Sequence, residues 1–204
     1  MPRAESPDAR ERLAVFARFP EAGRAKTRLI PALGPEGAAR LHEDMVRQTL
    51  RTADDLQKAG PLSVEVWFAG GDADRFARLF GSRSYRPQAE GDLGDRMSSA
   101  FRDMLAEASR AIIVGTDCPA LDATILAEAF DALRTRDLVL GPATDGGYYL
   151  IGLSKPVPEL FDRMPWSTAG VLAETLRRAE CAGLSIHRLP TLDDVDEPRD
   201  LPVW

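Results

Sequence analysis

Three stretches of this chain carry side chains able to hold an anion or a cation. The first is Arg-Phe-Pro-Glu-Ala-Gly-Arg-Ala-Lys-Thr-Arg-Leu over 18–29, which sets Arg18, Arg24, Lys26 and Arg28 around Gly23. Backbone N–H groups of a glycine loop and nearby cations make an anion cradle. Neither the Walker pattern nor the Gly-x-Gly-x-x-Gly fingerprint occurs, so the loop is not a P-loop or a dinucleotide turn. A solvated basic loop is the plain alternative. Lys26, Lys58 and Lys155 are the only lysines among 26 basic residues. A compact ammonium inside an arginine-rich loop hints that a point charge is wanted there.

The second stretch is Ala-Ile-Ile-Val-Gly-Thr-Asp-Cys-Pro, with Asp117 just past an apolar run. A carboxylate there suits Mg²⁺ or Mn²⁺, hard ions that take oxygen ligands. Capping the turn or pairing with an arginine would be the structural use of Asp117. The third is Thr-Leu-Asp-Asp-Val-Asp-Glu-Pro-Arg-Asp-Leu over 191–201. In an extended Asp194-Val195-Asp196 segment both carboxylates share one side and Val195 turns away. With Asp117 they would make a site for one or two divalent ions; a solvated acidic face is the alternative.

Three further segments are readable in two ways. Asp145-Gly146-Gly147 is either a hairpin turn or a point of close backbone approach to a ligand. Asp92 in Glu-Gly-Asp-Leu-Gly-Asp-Arg-Met is expected to cap a helix. Ser167 and Thr168 stand at a helix start, where they cap it or help hold an anion. Cys118 reads as a small buried residue, and His42 and His187 are assigned no chemistry.

These segments need a frame. Leu13–Ala17, 64–70, 84–88, 111–115, 137–143, 148–153 and 184–189 read as strands. Helices are expected over 35–58, after Asp72, over 92–108, after Asp122 and over 168–180, with Pro35 at a first helical position. The alternation predicts one α/β domain with right-handed crossovers, and ligands beyond the carboxyl ends of the strands. Residues 1–11 are expected to form a mobile tail ahead of a domain over 12–204.

The composition narrows the class. The 204 residues are 44% hydrophobic and 28% charged, which excludes wholesale disorder. A net charge of −6 argues against a dedicated nucleic-acid binder. No apolar run reaches the ~20 residues of a membrane span, and the start does not resemble a secretory signal. Two cysteines form no disulfide framework or zinc motif, so a reducing, cytoplasmic setting is expected.

Taken in order, Phe-Ala-Arg-Phe-Pro-Glu-Ala-Gly-Arg-Ala-Lys-Thr-Arg-Leu, Gly-Asp-Leu-Gly-Asp-Arg-Met, Gly-Thr-Asp-Cys-Pro, Ala-Thr-Asp-Gly-Gly-Tyr-Tyr-Leu-Ile-Gly-Leu, Trp-Ser-Thr and Asp-Asp-Val-Asp-Glu-Pro-Arg-Asp-Leu carry a resemblance from Leu13 onward. They resemble the bacterial nucleotide-diphospho-sugar-transferase-like proteins, small A-type glycosyltransferase-fold proteins also called radical-SAM/selenodomain-associated transferases. The wider group includes 2-phospho-L-lactate and molybdenum cofactor guanylyltransferases. The family often has lysine where this chain has Arg18, which keeps the charge.

The resemblance implies a single-domain, Rossmann-like sandwich with a mostly parallel mixed sheet. It implies that Arg18, Gly23, Arg24, Lys26 and Arg28 contact nucleotide phosphates and that Leu93 and Gly94 lie near base or ribose. Asp117, Asp194 and Asp196 would hold Mg²⁺ or Mn²⁺. Asp145, Gly146 and Gly147 would face an acceptor, a small molecule, with Ser167 and Thr168 on the same side. Lys26 and Asp117 would be catalytic. The implied activity is transfer from a nucleotide-activated donor, a nucleotide sugar. Nucleotidyl transfer from an NTP to a phosphorylated acceptor, with pyrophosphate release, is the alternative. A non-catalytic nucleotide-binding regulatory module is a third. Both reactions build charge on phosphate oxygens, which a divalent ion and Lys26 would stabilise.

Overall fold

The computed structural model describes residues 10–204. Strand β1 (Glu11–Arg18) leads to helix α1 (Ile30–Ala59), β2 (Leu62–Ala69), α2 (Ala73–Phe80) and β3 (Ser84–Pro87). Helix α3 (Leu93–Leu105), β4 (Arg110–Val114) and α4 (Ala123–Ala132) follow. Strands β5 (Leu138–Pro142) and β6 (Tyr148–Leu153), helix α5 (Val171–Cys181) and β7 (Ile186–Arg188) complete the order. Among the described residues, seven strands lie in the order β3-β2-β1-β4-β6-β5-β7. Only β6 runs antiparallel, to both β4 and β5. This is the mostly parallel mixed sheet anticipated.

Burial on both faces of the sheet explains the unbroken apolar runs. Ile112 and Val114 of β4 join Leu13, Val15, Val46, Phe76 and Leu126 on the face covered by α1, α2 and α4. Ala111 and Ile113 join Ala14, Met97, Phe101, Ile151 and Ala179 on the face covered by α3 and α5. A strand buried on both faces cannot show polar alternation.

The chain moves outward through β2 and β3, then returns to lay β4 on the other side of β1. The crevice at the ends of β1 and β4 is therefore the switch point where such sheets bind ligands.

Several boundaries differ from expectation. Most of the tail expected over 1–11 lies outside the described residues, but Glu11 belongs to β1, paired with Leu62 and Arg110. Helix α1 contains a non-helical break at Gly34 and restarts at Pro35, so Pro35 does begin the long segment. Helix α3 stops at Leu105, leaving Ala108 outside it. Asp72, Asp92 and Asp122 each cap their helices through a side-chain oxygen.

Candidate active site

The geometry is set by a strap. After β7, Leu192 N–H donates to the Pro142 carbonyl and Thr144 N–H to that of Leu192, so the chain runs along the end of β5. Tyr149 hydroxyl donates to the Pro190 carbonyl at the start of the strap. Val195 N–H then donates to the Asp117 carbonyl at 2.9 Å. The strap thus crosses the carboxyl ends of the strands and stops beside the loop that follows β4.

Val195 anchors it. Its side chain is 0% exposed among Leu29, Ala38, Leu41 and Met45. With Val195 buried, Asp196 lies against Lys26 and Arg28, while Asp194 feels the nearby charge of Asp145.

Lys26 closes the site from the other side. Ala25 and Leu29 are buried and pin the 19–28 loop. Lys26 itself adopts φ 46°, ψ 48°, a left-handed conformation uncommon for a residue with a Cβ. Its side chain is only 4% exposed. Nζ lies 2.9 Å from Asp117 Oδ1 and 3.5 Å from Asp196 Oδ1, and donates to the Val195 carbonyl at 2.6 Å. Arg28 pairs with the other oxygen of Asp196. One ammonium therefore ties together the loop after β1, the loop after β4 and the strap.

The remaining residues of the 18–28 loop are differently placed. Arg24 is largely exposed and pairs with Glu21 at 3.5 Å. Gly23 has φ 80°. Arg18 ends β1, and its carbonyl lies 3.0 Å from His42 Nε2.

Negative charge is concentrated around the strap. Burial and the nearby charges of Asp145, Asp200 and Asp196 push the Asp194 carboxyl above its usual range. Cys118 is buried, and desolvation with Asp117, Asp194 and Asp145 nearby pushes its thiol far up. That thiol is a packing group and not a nucleophile, as anticipated.

The donor set is all oxygen, which suits a hard divalent ion. Among the described residues, however, no three His, Cys, Asp or Glu are gathered as a metal cage. Lys26 Nζ stands between Asp117 and Asp196, so the expected three-carboxylate site is not preassembled.

The other predicted residues fall into two groups. Asp145 does form a turn: its Oδ1 accepts from Gly147 N–H at 2.7 Å, between antiparallel β5 and β6. Gly146 has φ 90°, and a Cβ there would lie 2.3 Å from the Ala169 carbonyl oxygen. The close approach that glycine allows is to the 167–170 segment of the same chain. Ser167 and Thr168 do not cap α5 through their side chains; Gly170 is the N-cap, and Thr168 hydroxyl donates to the Pro165 carbonyl. A Cβ on Gly94 would sit 2.7 Å from the Phe161 carbonyl oxygen, so Gly94 serves close packing, while Leu93 beside it is 44% exposed.

A cavity of about 620 Å³ lies between α3 and the 158–163 segment and includes Asp92, Gly94, Arg163 and Arg178. None of its lining residues belongs to the lysine–carboxylate cluster. It is a cleft beside the glycine turn and not the place where the charges converge.

Sequence reasoning missed His42, which is buried near Asp117 and Lys26 and feels both charges. Its position on α1, opposite the end of β1, depends on tertiary packing alone. His187, also set aside, pairs with Glu128 at 2.8 Å.

Comparison with known proteins gives one family and a set of structural likenesses. The family described as uncharacterized protein conserved in bacteria (DUF2064) matches residues 52–168. No curated protein matches. A crystal structure from Desulfovibrio desulfuricans G20, provisionally designated a nucleotide-diphospho-sugar transferase, superposes with TM-score 0.85 at 31% identity. That match covers 92% of this chain and 82% of the other. The 4-diphosphocytidyl-2C-methyl-D-erythritol synthase of Anaerococcus prevotii DSM 20548 aligns at TM-score 0.62 and 9% identity, over 96% and 94% of the two chains. Glucosyl-3-phosphoglycerate synthase of Mycobacterium tuberculosis, crystallised with Mn²⁺, UDP and glucosyl-3-phosphoglycerate, aligns at 0.58 and 13%, over 95% and 75%. These last two share the fold alone.

Proposed function

The chain belongs to the DUF2064 family, and from its site we propose that it is a divalent-metal-dependent transferase acting on a nucleotide-activated donor, with a nucleotide sugar as the leading donor. The observation that carries this reading is the convergence of Lys26, Asp117 and Asp196 at the switch point. The 31% identical relative supports it by its designation, and the more distant ones by the nucleotide chemistry in their names.

In this reading Asp117, Asp194 and Asp196 would hold Mg²⁺ or Mn²⁺. The ion supplies a Lewis acid for phosphate oxygens. Lys26, paired with both Asp117 and Asp196, would also offer its charge to the donor phosphates. As charge builds on the leaving phosphate, Lys26 and Arg28 stabilise it. Gly23, Arg24 and Arg18 line the path of the incoming polyphosphate, and Leu93 offers an apolar surface at the base or ribose. The 145–147 turn, packed on the 167–170 segment, faces the acceptor, a small molecule.

Nucleotidyl transfer is the second reading. The basic loop follows directly on β1, and Asp194 and Asp196 flank Val195 in the strap. A regulatory module that binds nucleotide without turnover is the third.

A thermal-shift screen of NTPs and nucleotide sugars, each with and without Mg²⁺ or Mn²⁺, comes first. A ligand at ~100 times its Kd adds roughly 2.7 kcal/mol, about 5–10 °C for a domain of this size. Positive donors are then incubated with phosphorylated acids and sugar acceptors. Release of nucleoside diphosphate supports glycosyl transfer, release of pyrophosphate supports nucleotidyl transfer, and binding without either supports the module. No shift with any nucleotide removes all three.

A further inference from the structure

Helix α1 sends a side chain to the backbone of each loop that frames the site. His42 Nε2 lies 3.0 Å from the Arg18 carbonyl oxygen, where β1 hands over to the loop bearing Lys26. Gln48 Nε2 donates to the Pro119 carbonyl at 2.6 Å, just after Asp117. Farther along the helix, Thr52 hydroxyl donates to the Leu121 carbonyl.

The state of the His42 ring follows from its partners. A carbonyl oxygen only accepts, so Nε2 carries the proton and bonds Arg18. Desolvation lowers the tendency of His42 to take a second proton, against the nearby carboxylate of Asp117. Nδ1 is then a bare acceptor, and it is buried without a partner. His42 as a whole is 5% exposed. An apolar side chain would fill that space without orphaning an acceptor. What the imidazole adds is the bond to Arg18.

We propose that His42, together with Gln48, is a positioning residue that holds the Lys26 loop and the Asp117 loop in register through their backbone carbonyls. Neither side chain touches the reacting groups. The first contact sets where the 19–28 loop leaves the sheet, and the second sets where the 115–121 loop turns. Both are referred to one helix, so the distance from Lys26 to Asp117 is fixed by α1. The consequence for ligand binding rests on the function proposed above; the mechanical role does not.

The test uses near-isosteric variants. Glutamine places an amide N–H near the position of Nε2, whereas asparagine is too short to reach the carbonyl. Amide hydrogen exchange is followed in the unliganded protein. His42→Asn is expected to speed exchange across 19–28 by about tenfold with the distant strands unchanged, while His42→Gln stays within about twofold of the parent. Gln48→Leu is expected to do the same across 115–121, and it tests the idea even where His42→Asn fails to fold. In parallel, Mg²⁺-dependent affinity for the nucleotide selected in the thermal-shift screen should fall about tenfold in His42→Asn and recover in His42→Gln. Equal loop exchange in the parent, Asn and Gln proteins would overturn the proposal, as would acceleration spread over the whole chain. Failure of the parent to bind any nucleotide would strike the proposed function and leave the exchange result to decide this one.

Discussion

Lys26 and Val195 stand 169 residues apart in the chain and are joined by a 2.6 Å hydrogen bond from Nζ to the carbonyl oxygen. The same Val195 gives its N–H to the Asp117 carbonyl. One buried residue of the strap therefore bonds, at its two backbone groups, to the two loops that carry the charged side chains. The cluster is built on backbone contacts and then decorated with carboxylates.

Replacing Lys26 with methionine keeps most of its volume and removes the charge. Val195 and Asp117 then lose a donor, and stability is expected to fall by about 1–3 kcal/mol in urea titrations. Donor turnover is expected to fall by about 10²–10³-fold, because a preorganised charge at the phosphates is gone. Lys26→Arg should restore little, since a planar fork replaces a compact ammonium in a closed position.

The strap depends on packing. Val195→Ala leaves a hole among Leu29, Leu41 and Met45 and is expected to cost about 1–2 kcal/mol. Nucleotide affinity should weaken along with the melting temperature, as Asp194 and Asp196 lose their fixed direction. Titration calorimetry on the folded variant checks the second effect separately.

Much of this was legible from local pattern. Asp72, Asp92 and Asp122 announce their helices because capping is a short-range contact between a side chain and an N–H three residues on. Val195 reads as turned away from its two aspartates because extended-chain periodicity is local too. The meeting of Lys26 with Asp117 and Asp196 was an expectation that no spacing could show. His42 was not found at all, since its partner is a carbonyl oxygen and any residue has one. Ser167 and Thr168 look like helix caps in the sequence, but the helix starts later because Leu172 N–H is taken by the Gly146 carbonyl.

That contact makes Gly146 sensitive. Gly146→Ala places a methyl group against the Ala169 backbone at a positive φ, and is expected to destabilise by more than about 1 kcal/mol. The 145–147 turn and the 167–170 segment should move together. Proteolysis and kinetics with the identified acceptor check this: KM for the acceptor should rise more than KM for the donor.

Asp137 clamps the starts of β5 and β7. Its carboxylate accepts from Ser185 N–H and hydroxyl and pairs with Lys155 at 3.0 Å. The Ser185 bonds hold its pKa down to about 2, from 3.8. A depressed folded pKa adds stability above the unfolded value, and that stability is lost as pH falls from about 3.8 through 2. After solvent screening the contribution is about 1 kcal/mol. Asp137→Asn should lose it at neutral pH and match the parent near pH 2, as read by denaturation at several pH values.

The account stands on carboxylates that take a cation together with a polyphosphate. Free Mn²⁺ gives a strong electron paramagnetic resonance signal that fades on binding, so uptake can be titrated directly with and without the nucleotide selected above. The parent protein is predicted to bind Mn²⁺ more tightly with nucleotide present, and Asp117→Ala to lose at least about tenfold of that affinity. Equal Mn²⁺ uptake by the parent and Asp117→Ala would contradict it.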